Sequence, residues 1–183
     1  MSDTYFIQSL LDGSVIDVQG AQAAAGTPIH LYPQKSLSSP PTTAQLQNAA
    51  NQLWTFVNSS TANYFWIASQ LNSDLVIDIV NDNAVPGASL QIATQKTGSI
   101  EKNQLWTLIG VQPPHPPGTL ADTYFMFESQ ANSNLVITVD TPVSGGVAGL
   151  SLHTKLPTGT QAQFDAAKTQ LWSEVASYYP PPK

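Results

Sequence analysis

A chain of 183 residues with no cysteine, no arginine, six lysines and a formal net charge of −6 excludes a disulfide scaffold and thiol chemistry. It also lacks the guanidinium that most often reads phosphates and bases, so neither nucleic acid nor anionic membrane is an expected partner. The opening MSDTYFIQSL has no basic start and no long apolar run, so neither a signal peptide nor membrane insertion is expected, and the expected localisation is cytoplasmic or by leaderless secretion.

In chain order, the first element is TYFIQSL, a run of β-formers ending in the turn Asp12-Gly13. A second strand over Val15 to Val18 puts Ile16 and Val18 on one face and Asp17 on the other. A small-residue loop leads to TPIHLYP, where Ile29 and Leu31 share a face while His30 and Tyr32 look the opposite way. Residues 33–50 read as a long loop whose last part, TAQLQNAA, suits a short helix. Gln52 to Val57 reads as the fourth strand, with Trp54 its largest buried side chain.

This order then repeats. NQLW at Asn51 returns as NQLW at Asn103 and TQLW at Thr169, and a Tyr-Phe pair opens each unit at Tyr5, Tyr64 and Tyr124, 59 and 60 residues apart. The second unit reads as strands over Tyr64 to Ser69, Leu75 to Ile79, Ser89 to Ala93 and Gln104 to Ile109. The third reads as strands over Tyr124 to Ser129, Leu135 to Val139, Leu150 to Thr154 and Leu171 to Val175. Between them lies VQPPHPPGT, a stiff exposed connector in which His115 is expected to be solvated; YYPPPK ends the chain as a tail.

Three units of about 60 residues are each too small to bury a sufficient core alone, so one domain over residues 1–183 is expected. Its parts are repeats at 1–60, 61–112 and 120–183 with the connector at 113–119. Twelve short strands with Pro/Gly-rich turns and no long helical periodicity argue an all-β fold. Triplication of a four-strand unit selects a β-trefoil with pseudo-three-fold symmetry.

The QxW motif three times over, each preceded by a hydrophobic-Asp-hydrophobic strand or its variant, resembles the R-type (ricin B-like) lectin family, and among its members the small cysteine-free fungal lectins. The resemblance covers nearly the whole chain. It implies a non-enzymatic lectin holding terminal galactose or N-acetylgalactosamine in a shallow pocket on each unit. Carried over, the family's binding positions fall on Asp17, His30, Tyr32, Asn51 and Gln52 in the first unit. In the second they fall on Asp78, Gln91, Asn103 and Gln104, with Ala93 where an aromatic would stack. The third has Thr138 in place of the aspartate, then His153, Lys155, Thr169 and Gln170, and is expected to be structural. A role in defence against predators or parasites is implied by the family alone.

The first unit is expected to bind and the second to bind weakly or differently, and the chemistry of these residues agrees with that order. A carboxylate accepts hydrogen bonds from two neighbouring sugar hydroxyls, amides offer a donor and an acceptor, and an aromatic face covers the C–H face of a pyranose. Since Asp17, His30 and Tyr32 alternate with core residues, all three are expected to project outward. The tryptophans are core, and the repeated Gln is expected first to satisfy turn backbone. No metal site or cofactor is expected, because His30 has no second ligand at a suitable spacing and Asn81-Asp82-Asn83 reads as a turn. No catalytic motif is present, and a glycosidase would need a second carboxylate beside Asp17 or Asp78. One good site per chain suggests a homodimer for avidity on glycans. The alternative is a β-trefoil protease inhibitor acting through the long 33–50 and 155–168 loops.

Overall fold

The computed structural model describes residues 4–114, 122–141 and 145–177. His115, most of the Pro-rich connector and the YYPPPK tail lie outside them. The first unit contains β1 (Tyr5–Ser9), β2 (Val15–Val18), β3 (Thr27–Tyr32), α1 (Thr43–Ala49) and β4 (Trp54–Asn58). The second contains β5 (Phe65–Ser69), β6 (Asn72–Ile79), β7 (Leu90–Thr94) and β8 (Trp106–Val111). The third contains β9 (Tyr124–Ser129), β10 (Leu135–Val139), β11 (Ala148–Thr154), α2 (Gln161–Ala166) and β12 (Trp172–Ala176).

Six strands close a barrel. Antiparallel pairing runs β1 to β4, β4 to β5, β5 to β8, β8 to β9, β9 to β12 and back to β1. The hairpins β2–β3, β6–β7 and β10–β11 cap one end, joined by β3–β7, β11–β3 and a bridge from Ser89 to Ser151. This is the β-trefoil.

Side-chain alternation explains why these strands hold. Ile16, Val18, Ile29 and Leu31 enter one apolar cluster with their second-unit and third-unit counterparts and with Trp54, Trp106 and Trp172, all three of them fully buried. Each indole N–H donates to the second strand of its own unit: Trp54 to the Ile16 carbonyl (3.0 Å), Trp106 to Ile77 (3.3 Å) and Trp172 to Ile137 (3.2 Å). A buried donor is thus satisfied, and the backbone just before Asp17, Asp78 and Thr138 is fixed three times over.

The fourth strands begin at their tryptophans. Gln52 and Gln104, expected inside those strands, fall with Gln170 in the short 3-10 turns before them, and each glutamine side chain accepts from the chain that follows the third strand. The segment 155–168, read as loop, contains α2. It carries the same capping box as α1, with Thr160 and Gln163 standing where Thr42 and Gln45 stand.

Candidate functional site

The first-unit residues lie together around the β2–β3 hairpin, and their exposure differs from the outward projection expected of Asp17, His30 and Tyr32. Asp17 pairs with His30 and Val15 with Tyr32 across the β2–β3 hairpin, so the rings of His30 and Tyr32 share a face and stack at 5.5 Å. Asp17 does not project into solvent; it is only 3% exposed. The chain after β3 folds over it, because Gln52 clamps that segment: the Lys35 backbone N–H donates to Gln52 Oε1 (2.8 Å), and Gln52 Nε2 donates to the Pro33 carbonyl (3.0 Å).

Beneath this cover Asp17 is nearly saturated. Its Oδ2 accepts from Asn51 Nδ2 (2.7 Å) and from Gln52 Nε2 (2.8 Å), and its Oδ1 lies 3.1 Å from His30 Nε2. Three of about four carboxylate acceptor positions are taken by the protein. Asp17 therefore orients Asn51 and His30 first, with at most one position left for a ligand.

What faces the cleft is a different set. Tyr32 is 43% exposed, and with Asp17, Gly20, Ala21, His30, Lys35 and Asn51 it lines a hollow of about 280 Å3. Ala21 sits at φ +53°, a left-handed conformation that costs a non-glycine residue about 1 kcal/mol and turns the chain sharply at the rim. Lys35 was not foreseen. Its Nζ donates to Asn51 Oδ1 (2.7 Å) and to the Asn48 carbonyl (2.6 Å), leaving one N–H for a ligand. The signal was the Gln-Lys dipeptide that follows the third strand at Gln34-Lys35 and again at Gln95-Lys96.

In the second unit the same geometry is sealed from within. Asp78 is 1% exposed and accepts from Gln91 Nε2 (3.0 Å) and from Lys96 Nζ (3.1 Å). Lys96 also binds Asp82, which sits at φ +53° in the turn after β6. Burial pulls the Lys96 ammonium down, but hydrogen bonds to Asp82 and Asp78 and their charges outweigh it and hold its pKa above the ordinary lysine value. Asp82 is thus a second carboxylate near Asp78, joined to it through the Lys96 ammonium. Gln104 repeats the clamp, accepting from the Lys96 backbone N–H (2.7 Å) and donating to Thr94 (3.0 Å), and Asn103 is buried beside it.

The third unit keeps the clamp as well, Gln170 accepting from the Leu156 N–H (2.8 Å) and donating to Thr154 (2.9 Å). The glutamine's backbone role is common to all three units. Its other positions shift, because Thr138 pairs with Ser151 and Val136 with His153 across the hairpin. Ser151 is therefore the counterpart of His30, and His153 that of Tyr32. Lys155 falls beyond the site and binds Glu128.

No family model matches the chain, and no curated protein matches it in sequence. Solved structures do match. The designed three-fold symmetric protein ThreeFoil has a TM-score of 0.68 at 19% identity, over 94% of this chain and 97% of its own. The C-half of the earthworm R-type lectin, solved in complex with GalNAc, has a TM-score of 0.58 at 18% identity over 95% and 98%. An exo-β-1,3-galactanase from Clostridium thermocellum has a TM-score of 0.66 at 18% identity, over 96% of this chain. Of that enzyme's chain only 30% is spanned. Likeness at such identities establishes the shared β-trefoil fold.

Proposed function

We propose that this chain is a non-enzymatic, carbohydrate-binding lectin that takes galactose- or N-acetylgalactosamine-type glycans in the first-unit cleft. The observation that carries the reading is the exposed Tyr32 ring stacked on His30 beside the Asn51 amide and the Lys35 ammonium. The ring offers an apolar platform to a pyranose, while Lys35, His30 and the last acceptor position of Asp17 take its hydroxyls. The earthworm lectin with GalNAc bound shares the fold.

The second unit, with Ala93 for the aromatic and Lys96 on its aspartate, is structural in this reading. One shallow cleft holds a monosaccharide near the millimolar range, about −4 kcal/mol. Useful avidity then needs a second copy of the chain, and a homodimer is part of the proposal. A defensive role completes it. The inhibitor alternative has less to act with, since both long segments fold in part into capped helices.

The test is a glycan array of the wild-type protein beside Tyr32→Ala, each checked for folding by its melting curve. Galactose-terminated glycans retained by the wild type and lost by the folded variant support the reading; no glycan retained by the wild type overturns it.

A further inference from the structure

The third unit has no aspartate at the expected position, and the Thr138 hydroxyl turns back to donate to the Val136 carbonyl (3.1 Å). A carboxylate returns from two residues further on. Asp140, just past β10, donates its backbone N–H to Gly149 in β11 (2.9 Å). Its Oδ1 accepts from the Ser151 hydroxyl and lies 3.7 Å from His153 Nε2.

Gly149 makes this placement possible. A β-carbon there would stand 2.6 Å from Asp140 Oδ2, too close for any other residue to leave the carboxylate where it is. Asp140 and His153 are both nearly half exposed, and His153 holds the strand position that Tyr32 holds in the first unit. With Thr138, Thr169, Gln170 and Leu156 they line a cleft of about 550 Å3, roomier than the first.

Charge separates the two clefts. In the first, the aspartate is buried and nearly saturated, so the charge left facing a ligand is Lys35. In the third, Leu156 occupies the place of Lys35 and Lys155 is turned to Glu128. Among the described residues, the third cleft's lining contains no lysine, and Asp140 is its one carboxylate. A carboxylate with an oxygen free and no ammonium opposite it suits a cationic ligand.

We propose that the third-unit cleft is a second saccharide site, selective for sugars that carry a free, protonated amine, with Asp140 as the acceptor and His153 as the ring against the sugar. This rests on the chain being a carbohydrate binder, but not on the first cleft. Gly149 is a positioning residue that keeps Asp140 in place.

The experiment is an NMR titration of the full chain with glucosamine and with N-acetylglucosamine at matched ionic strength. The amides of His153 and Thr169 report the third cleft, and those of Tyr32 and Lys35 the first. The amine sugar is expected to move the third-cleft amides with an affinity up to about fivefold above that of the acetylated sugar, the range of an exposed ion pair. That preference is expected to vanish in Asp140→Asn and to weaken in Gly149→Ala, which keeps the carboxylate but displaces it. Equal affinity of the two sugars for the wild type, or a preference that survives Asp140→Asn, would overturn the proposal, as would unmoved His153 and Thr169 amides. The wild-type comparison stands even if a variant fails to fold. Methyl galactoside leaving Tyr32 and Lys35 unmoved would sink the first cleft without touching this one.

Discussion

Lys96 Nζ lies 3.1 Å from Asp78 Oδ1, whereas Lys35, at the same place in the first unit, leaves its aspartate alone and binds Asn51 instead. One lysine seals its unit and the other furnishes a cleft. Removing Lys96 strands a buried carboxylate with only Gln91, among the described residues, to hold it. Lys96→Met is therefore expected to lower stability by roughly 2–3 kcal/mol, and Lys35→Met, whose acceptors are uncharged, by about 1 kcal/mol or less. Urea unfolding of the two variants against the wild type measures both.

The same pair sets a pH dependence. A lysine whose folded pKa is raised stabilises fully below its unfolded value and loses that contribution as pH climbs through the folded one. The ordinary value is 10.5. The stability gap between wild type and Lys96→Met should thus be constant at neutral pH and narrow as pH rises above 10.5. Paired melting curves across that range show it, and a gap that widens contradicts the assignment.

The glutamine clamp should cost about the same in the second and third units, although their hairpins carry different side chains. Gln104→Ala and Gln170→Ala each free one backbone N–H and one carbonyl, about 2 kcal/mol apiece. Gln52→Ala also takes a donor from Asp17 and should cost more. Of the three, only the Gln52 variant is expected to alter sugar binding in the first cleft, which a titration of each folded variant checks.

How much of this was legible follows from which features repeat. The trefoil was legible because Trp54, Trp106 and Trp172 and the alternating apolar pairs recur in register, and a shared core requires that recurrence. The burial of Asp17 was not, because strand alternation tells which face a residue takes and not what covers that face. The cover is the segment 33–35, held by Gln52, and its path depends on a long-range clamp. Asp140 stayed hidden for a related reason: it lies outside the strand pattern, and only the β10–β11 register shows that Ser151 and His153 stand where His30 and Tyr32 do. Lys35 and Lys96 were within reach, since the Gln-Lys dipeptide repeats. The box Thr160 to Gln163 likewise marked α2 in the same letters that marked α1.

The indole bonds give a core prediction. Trp54→Phe removes the donor to Ile16, leaves a buried carbonyl unpaired and opens space in the barrel, for an expected loss of about 2–3 kcal/mol. Because Ile16 precedes Asp17, affinity in the first cleft should fall too, whereas Trp172→Phe should cost similar stability and leave that affinity unchanged. Denaturation and sugar titration of both variants separate the two effects.

The most direct measurement is calorimetric titration of N-acetylgalactosamine into the wild-type protein and into Tyr32→Ala. Tyr32 is 43% exposed and its ring stacks on His30 at the rim of the cleft, so the variant should fold and melt almost as the wild type does. Millimolar binding by the wild type that falls at least tenfold in Tyr32→Ala is the expected result; equal binding by the two proteins would contradict the placement of the sugar in the first cleft.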